Sequence, residues 1–183
     1  MVRAFYAVDI RDEETVKNLL AIQNELLRAA GEGLKPVEPE NLHITLLFLG
    51  ELNEEEVSEA QKALSSIEAK PFEIGMNGVG YFPGGGRVNV IWVGVRNGAD
   101  NLADVHSQLR KRLPRIRVEE QRFIPHLTIC RVKYLRNRGP LLEVINRNRD
   151  TFFGKQLVTR IVLKKSVLTS SGPVYSDLAV KNL

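Results

Sequence analysis

The sequence predicts an α+β fold with mostly antiparallel sheets, built as two similar lobes that face each other. Three observations predict it. Strand, helix, strand occurs in that order in each half of the chain. The central strand of each half carries one tetrapeptide pattern, His43-Ile44-Thr45-Leu46 and His126-Leu127-Thr128-Ile129, 83 positions apart. Parallel doubly wound sheets lack such a symmetric pair of polar strands. The reading is one bilobal domain over 1–183, duplicated internally, with approximate halves 1–86 and 87–183.

The first half opens on a buried strand, Phe5 to Ile10. Residues 13–30 follow with Val16, Leu19, Leu20, Ile22, Leu26 and Leu27 on a helical stripe, and Asp12 is the N-cap candidate. A loop with Pro36 and Pro39 leads into the strand His43 to Gly50. Asn53 before Glu54, Glu55 and Glu56 starts a second helix, because carboxylates favour the positive end of the helix dipole. It ends near Ser66. Phe72 to Tyr81 reads as strand, with Gly75, Gly78 and Gly80 marking bulges or close approaches.

The second half repeats the order. Val88 to Val95 is a strand and Asn97-Gly98 a turn. Residues 100–113 place Leu102, Val105, Leu109 and Leu113 at helical spacing, and Pro114 closes the helix. Phe123 to Cys130 is a strand, 140–149 a short basic helix, and Leu157 to Leu168 and Val174 to Val180 are late strands around a turn at 170–173.

Composition sets the outer bounds. With 183 residues, 43% hydrophobic and 26% charged, the chain matches a globular domain rather than a disordered segment. No run approaches the roughly 18 apolar residues of a membrane span, and the first residues lack a signal-peptide layout. Cys130 is the single cysteine, which favours a reducing setting. The expectation is a cytoplasmic monomer with no membrane partner.

Charge is unevenly spread. Residues 1–91 hold 8 Lys/Arg against 15 Asp/Glu, net −7, whereas 92–183 hold 18 against 7, net +11. Arg110 to Arg149 contains 12 basic residues, mostly arginine, facing only Glu119, Glu120 and Glu143. Arginine matches the fork geometry of phosphate, so this half suits a phosphate-bearing partner; a solvated basic face is the plainer alternative.

The two tetrapeptides carry the chemistry. On a strand, His and Thr at i and i+2 share one face while the aliphatic residues point into a core. Leu42, Ile44, Leu46 and Phe48 are expected on that buried face. Two histidines that titrate near neutrality can supply a base and an acid in one step, and threonine hydroxyls can donate to phosphate oxygens. A phosphodiester between the lobes would be attacked by water on one side and protonated on the leaving oxygen opposite, with no metal or cofactor required. Arg131 could add charge, but strict alternation puts it on the face of Leu127. A bulge, or a strand ending at Cys130, is needed to bring it round.

Other chemistries lack their residues. His-x-Thr offers one zinc ligand per strand, and neither HExxH nor paired CxxC occurs. There is no Gly-x-Ser-x-Gly, and Cys130 reads as a buried, inert thiol. The Gly84-Gly85-Gly86 run has no following Lys-Ser/Thr and reads as a hairpin loop, not a phosphate cradle. His106 reads as a structural or solvent-exposed helix residue. Trp92, between Ile91 and Val93, reads as core; stacking of Phe48 on a base is the alternative to its place in the core.

The doubled His-x-Thr-x pattern, in a duplicated chain of this length, resembles the 2H phosphoesterase superfamily. The flanking residues Asn41-Leu42-His43-Ile44-Thr45-Leu46 and Phe48-Leu49-Gly50-Glu51 resemble its RNA 2′,3′-cyclic phosphodiesterase branch, also called 2′-5′ RNA ligase. The likeness extends over Arg3 to Ile10, Phe82-Pro83, Arg87, Val90 to Val93, Phe123 to Arg131 and Ser166 to Tyr175.

The resemblance implies a 2H phosphoesterase fold: two lobes, each an antiparallel sheet with helices outside, and a central cleft for the phosphate. It implies hydrolysis of a terminal RNA 2′,3′-cyclic phosphate to a 2′-phosphomonoester, with tRNA fragments among the substrates and 2′-5′ joining as the related reverse chemistry. By the same resemblance His43 would be the proton donor, His126 the acceptor activating water, and Thr45, Thr128 and Arg131 the substrate-binding residues. Two alternatives stay open: a non-catalytic RNA-binding module using the Arg110–Arg149 patch, and a 2H enzyme acting on a small cyclic nucleotide or ADP-ribose cyclic phosphate.

Overall fold

The computed structural model describes residues 1–84, 87–118, 122–170 and 172–183. In chain order the elements are β1 (Val2–Asp9), α1 (Glu13–Ala30), β2 (Leu34–Pro36), a 3₁₀ turn (Pro39–Asn41), β3 (His43–Leu52), α2 (Glu54–Ser65), β4 (Phe72–Gly84) and β5 (Arg87–Val95). Then follow α3 (Ala99–Lys111), β6 (His126–Val132), α4 (Gly139–Arg147), β7 (Phe152–Val158), β8 (Arg160–Thr169) and β9 (Gly172–Asn182).

The strands form one curled sheet in the order β7-β4-β5-β6-β3-β1-β8-β9, with β2 added onto β6. Every strand pairing is antiparallel. Two four-stranded lobes result, β7-β4-β5-β6 and β3-β1-β8-β9, and they meet where Ile44 of β3 pairs with Leu127 of β6. The middle of the chain, β4 to β7, makes the first lobe, and β1, β3, β8 and β9 from its two ends make the second; the chain returns from the first to the second at Thr159.

Helix starts follow local chemistry. Asp12 accepts from the Thr15 backbone N–H at 2.9 Å and from its hydroxyl at 2.7 Å, capping α1. Asn53 and Glu56 form a reciprocal capping box on α2. The helices lie on the convex face: α1 packs against α4 and β7, α2 against β8 and β9, and α3 against β3. The core between helices and sheet is aliphatic, including Leu19, Leu26, Leu102, Val105 and Leu109 from helices and Ile44, Leu46, Leu127 and Ile129 from strands. The Tyr6 hydroxyl crosses this layer and donates to the Ala60 carbonyl at 2.7 Å.

Several expectations need correction. The apolar run from Leu157 to Leu168 is two strands in different lobes, separated at Thr159. β6 starts at His126 rather than Phe123; Pro125 has no N–H to give a ladder. α4 is basic only toward its end: Leu141, Val144 and Ile145 are buried and hold it down. β2 is an element the loop prolines hid. Gly78 and Gly80 do mark close approaches. Gly78 sits at φ +75°, and a Cβ there would collide with the Arg149 carbonyl oxygen. β4 and β5 pair as far as Gly84 and Arg87. The triple-glycine loop, which runs through Gly85 and Gly86, and the turn expected at 170–173, which contains Ser171, fall partly outside the described residues.

Candidate active site

The junction between the lobes is built from the two tetrapeptides. β3 and β6 run antiparallel through Ile44 and Leu127, so the register sets His43 opposite Thr128 and Thr45 opposite His126. The two histidines are then diagonal neighbours across the strand pair, with Cβ atoms somewhat under about 7–8 Å apart. Ile44 and Leu127 are fully buried beneath them, while the two His and two Thr are half-buried on the concave face.

Both imidazoles are held in the same way. His43 Nδ1–H donates to the Asn41 carbonyl at 2.7 Å, and His126 Nδ1–H donates to the Ile124 carbonyl at 2.7 Å. A carbonyl can only accept, so each neutral ring carries its proton on Nδ1 and keeps the Nε2 lone pair for the cleft. Burial pushes both histidines below the usual value of 6.5. For His43 the Lys164 and Arg131 charges add to this, and the Asn41 hydrogen bond and the Asp9 carboxylate oppose it.

Each tetrapeptide ends on a β-bulge. Along β1 the partners step from Thr45 to Leu47, leaving Leu46 extra. Along β5 they step from Thr128 to Cys130, leaving Ile129 extra. Leu46 and Leu47 are both buried, as are Ile129 and Cys130. The alternation flips after each pair, so the residue two positions past the bulge returns to the His-Thr face. In β6 that residue is Arg131, which therefore faces the cleft and acts electrostatically on His43 and Tyr175. In β3 it is Phe48. The expectation of Phe48 in the core is overturned: it is 60% exposed beside Phe5, ring centroids 5.7 Å apart. The bulge at Ile129 is braced from behind. Buried Gln23 of α1 donates through Nε2 to the Ile129 carbonyl at 2.7 Å and to the Val37 carbonyl at 2.9 Å.

Aromatic rings wall both histidines. Phe5 lies 5.1 Å from the His43 ring, and Tyr175 meets it edge-on at 5.3 Å. Phe82 meets His126 edge-on at 4.8 Å, with Trp92 at 6.4 Å. Trp92 is thus not core: Ile91 and Val93 take the buried face, and Trp92 alternates onto the cleft side over Gly80. The cluster behind His43 has no counterpart among the sequence expectations. Lys164, 8% exposed, bridges Asp9 at 3.1 Å and Asp177 at 2.8 Å, and Arg160 reaches Asp9 at 3.3 Å. The apolar strand context of Lys164 gives no signal of this. Tyr175 is raised above the usual phenol value by burial, against the pull of Arg131, Arg3 and Lys164.

The remaining expectations place elsewhere. His106 stacks on Phe123 at 4.5 Å and 6°, away from the two tetrapeptides. The Cys130 thiol is buried and pushed up to about 12, which keeps it protonated. Among the described residues no helix is long and apolar enough to cross a membrane, and no three His, Cys, Asp or Glu side chains cluster as a metal site.

This arrangement can hold a tetrahedral anion between two hydroxyl donors and two imidazole Nε2 atoms approaching from opposite sides. Known proteins resemble the chain as a whole. The family model described as LigT like phosphoesterase matches twice, over residues 8–92 and 93–175. A protein of Archaeoglobus fulgidus named RNA 2′,3′-cyclic phosphodiesterase is 38% identical over 182 residues, covering 98% of this chain and 99% of its own. One of that name from Methanothermobacter thermautotrophicus is 35% identical over 185 residues, covering 100% and 99%. A crystal structure from Thermus thermophilus superposes with a TM-score of 0.83 at 31% identity, covering 99% of this chain and 97% of that one. With the family model matching each half and relatives of this identity end to end, the chain belongs to the LigT-like phosphoesterase family.

Proposed function

We propose that this protein hydrolyses 2′,3′-cyclic phosphate ends of RNA to 2′-phosphomonoesters. The observation that carries the proposal is the pair of His-Thr strands related about the Ile44–Leu127 contact, each histidine fixed through Nδ1 with Nε2 turned to the cleft. The names of the full-length relatives support it.

The cyclic phosphate sits between the strands, its non-bridging oxygens accepting from the Thr45 and Thr128 hydroxyls. The guanidinium of Arg131 offsets the anion's charge. His126 Nε2 takes a proton from water as the water oxygen bonds to phosphorus. The P–O3′ bond breaks on the far side, and protonated His43 gives its Nε2 proton to the leaving 3′ oxygen. The phosphate stays on the 2′ oxygen, and proton exchange with solvent resets the pair. Both histidines are pushed toward the neutral form in the free protein, so the bound phosphate anion is what favours a proton on His43.

The same reading takes RNA fragments, tRNA pieces among them, as substrates, a monomer as the working unit and the cytoplasm as its place. The test is a product assay: RNA ending in a 2′,3′-cyclic phosphate is incubated with protein and EDTA. A 2′-phosphate product is expected. A 3′-phosphate product, a metal requirement or no opening overturns the proposal.

A further inference from the structure

Beyond Arg131 the chain leaves β6 along a groove of about 670 Å³, between the start of β5 and the segment 132–138. Arg87, Asn89, Lys133, Tyr134, Arg136 and Arg138 line it. Four of these six are cations, and no carboxylate is among the lining residues. Among the described residues Arg87, Lys133 and Arg138 have no ion pair, and Arg136 has one, with Glu32 at 3.3 Å. Such a concentration of unneutralised charge is costly unless an anion shares it.

The groove is anchored. The Lys133 backbone N–H donates to the Gly33 carbonyl at 2.7 Å, and the Tyr134 hydroxyl donates to Glu32 at 3.2 Å. That bond steadies Tyr134 while about half of the residue stays open to solvent. Basic side chains interleaved with an open aromatic ring are what a single-stranded nucleic acid recognises: cations follow the backbone, and the ring offers a stacking face. The groove begins one residue from the cleft on both strands: Val90, next to Asn89, pairs with Arg131, next to Val132. Lys133 follows Arg131 by two residues, just past the end of β6. At roughly 3.3 Å per residue, Thr128 and Lys133 are about 16 Å apart, the reach of a few nucleotides.

We propose that this groove holds the phosphodiester backbone of the RNA strand leading into the cleft, which makes oligonucleotides rather than mononucleotides the preferred substrates. The inference rests on the proposed function for its direction, but binding tests it separately. A fluorescent hexaribonucleotide ending in a 2′-phosphate is titrated with the full chain and with a combined Lys133→Ala, Arg136→Ala, Arg138→Ala variant. Binding by the variant is expected to be at least tenfold weaker at 0.1 M salt. Its log–log salt slope should be smaller by about 2, from about 0.7 for each phosphate that is no longer neutralised. Turnover of a cyclic mononucleotide, which does not reach the groove, is expected within twofold of the unsubstituted protein. Glu32→Gln, which removes the carboxylate competing for Arg136, is expected to tighten hexamer binding. Unchanged hexamer affinity and slope in the triple variant overturn the groove, as does an equal loss on hexamer and mononucleotide. An unsubstituted protein that opens neither cyclic substrate overturns the proposed function alone, because hexamer binding still reads the groove.

Discussion

Gln23 in the first helix donates its side-chain amide to the carbonyl of Ile129, 106 residues away, at the bulge that turns Arg131 toward the cleft. A buried hydrogen bond thus sits behind the placement of an exposed charge. The Ile129 carbonyl also accepts from Val37 N–H at 2.9 Å, so loss of Gln23 leaves it partnered, while the Val37 carbonyl loses its side-chain donor. Gln23→Leu, similar in size, is expected to destabilise the fold by about 1 kcal/mol in thermal or urea melts, the net worth of a hydrogen bond to a part-buried carbonyl. If the bulge needs this brace, the variant also raises KM for cyclic phosphate RNA and mimics Arg131→Ala. A stable variant with wild-type KM would show that the bulge holds itself.

In the proposed reaction each imidazole makes one of the two proton transfers. His43→Ala and His126→Ala are each expected to lower kcat on RNA cyclic phosphate by about 10²–10⁴-fold. Both groups serve one step, so the double variant should lose little more than the worse single. Neither ring lies in the aliphatic core, so melting temperatures should change little. Full activity in either single variant would remove the site assignment.

The histidine environments fix a pH response. Both are depressed below 6.5, chiefly by burial. An acid with a lowered value loses its proton early as pH rises, and a base with a lowered value is ready early. The kcat/KM profile, which reports the free enzyme, should therefore peak below pH 6.5 and fall toward pH 8. The profile of kcat should lie at higher pH, because the bound anion favours protonated His43. Stability has the opposite slope: the unfolded chain binds more protons through this window. The contribution of these two groups is complete above the unfolded value and is lost as pH falls below it. Melts at pH 7.5 and 5.5, compared with the His43→Ala His126→Ala double variant, check that sign.

Tyr175 meets His43 edge-on and helps keep water from it. Tyr175→Ala should raise the His43 titration toward its ordinary value and move the falling limb of kcat/KM to higher pH. Tyr175→Phe keeps the ring and should leave that limb in place. Movement of the limb in both variants, or in neither, would argue against a desolvating role.

Much of this was legible in the chain because it is local. Asp12 and Asn53 announced their helices, and the repeated His-x-Thr-x strands announced the face that carries the chemistry. What alternation alone could not supply was the bulge after each tetrapeptide. It is set by pairing with β1 and β5, and it decides where Phe48 and Arg131 point. The same limit hid the lobe change at Thr159, since a continuous apolar run does not say which partner each part will find. Lys164 was silent because its two carboxylates, Asp9 and Asp177, come from different strands.

Trp92 shows how such long-range packing reaches the site. Its ring lies against Gly80, where a Cβ would collide with it, and against Phe82 at 5.3 Å, which in turn meets His126 edge-on. Trp92 also pairs directly with Thr128 across β5 and β6. Gly80→Ala cannot be accommodated with the ring in place, and overpacking of this kind costs about 1–3 kcal/mol. The displaced ring would press on Phe82 and loosen the wall that desolvates His126. The expected outcome is a lower melting temperature and a His126-dependent rising limb of kcat/KM moved to higher pH, with the His43-dependent limb unmoved. Gly80→Ala combined with Trp92→Leu removes the collision and should recover part of the stability, but without the ring it should not restore the pH profile. If the double variant recovers both, Trp92 acts only as packing and sets nothing at His126.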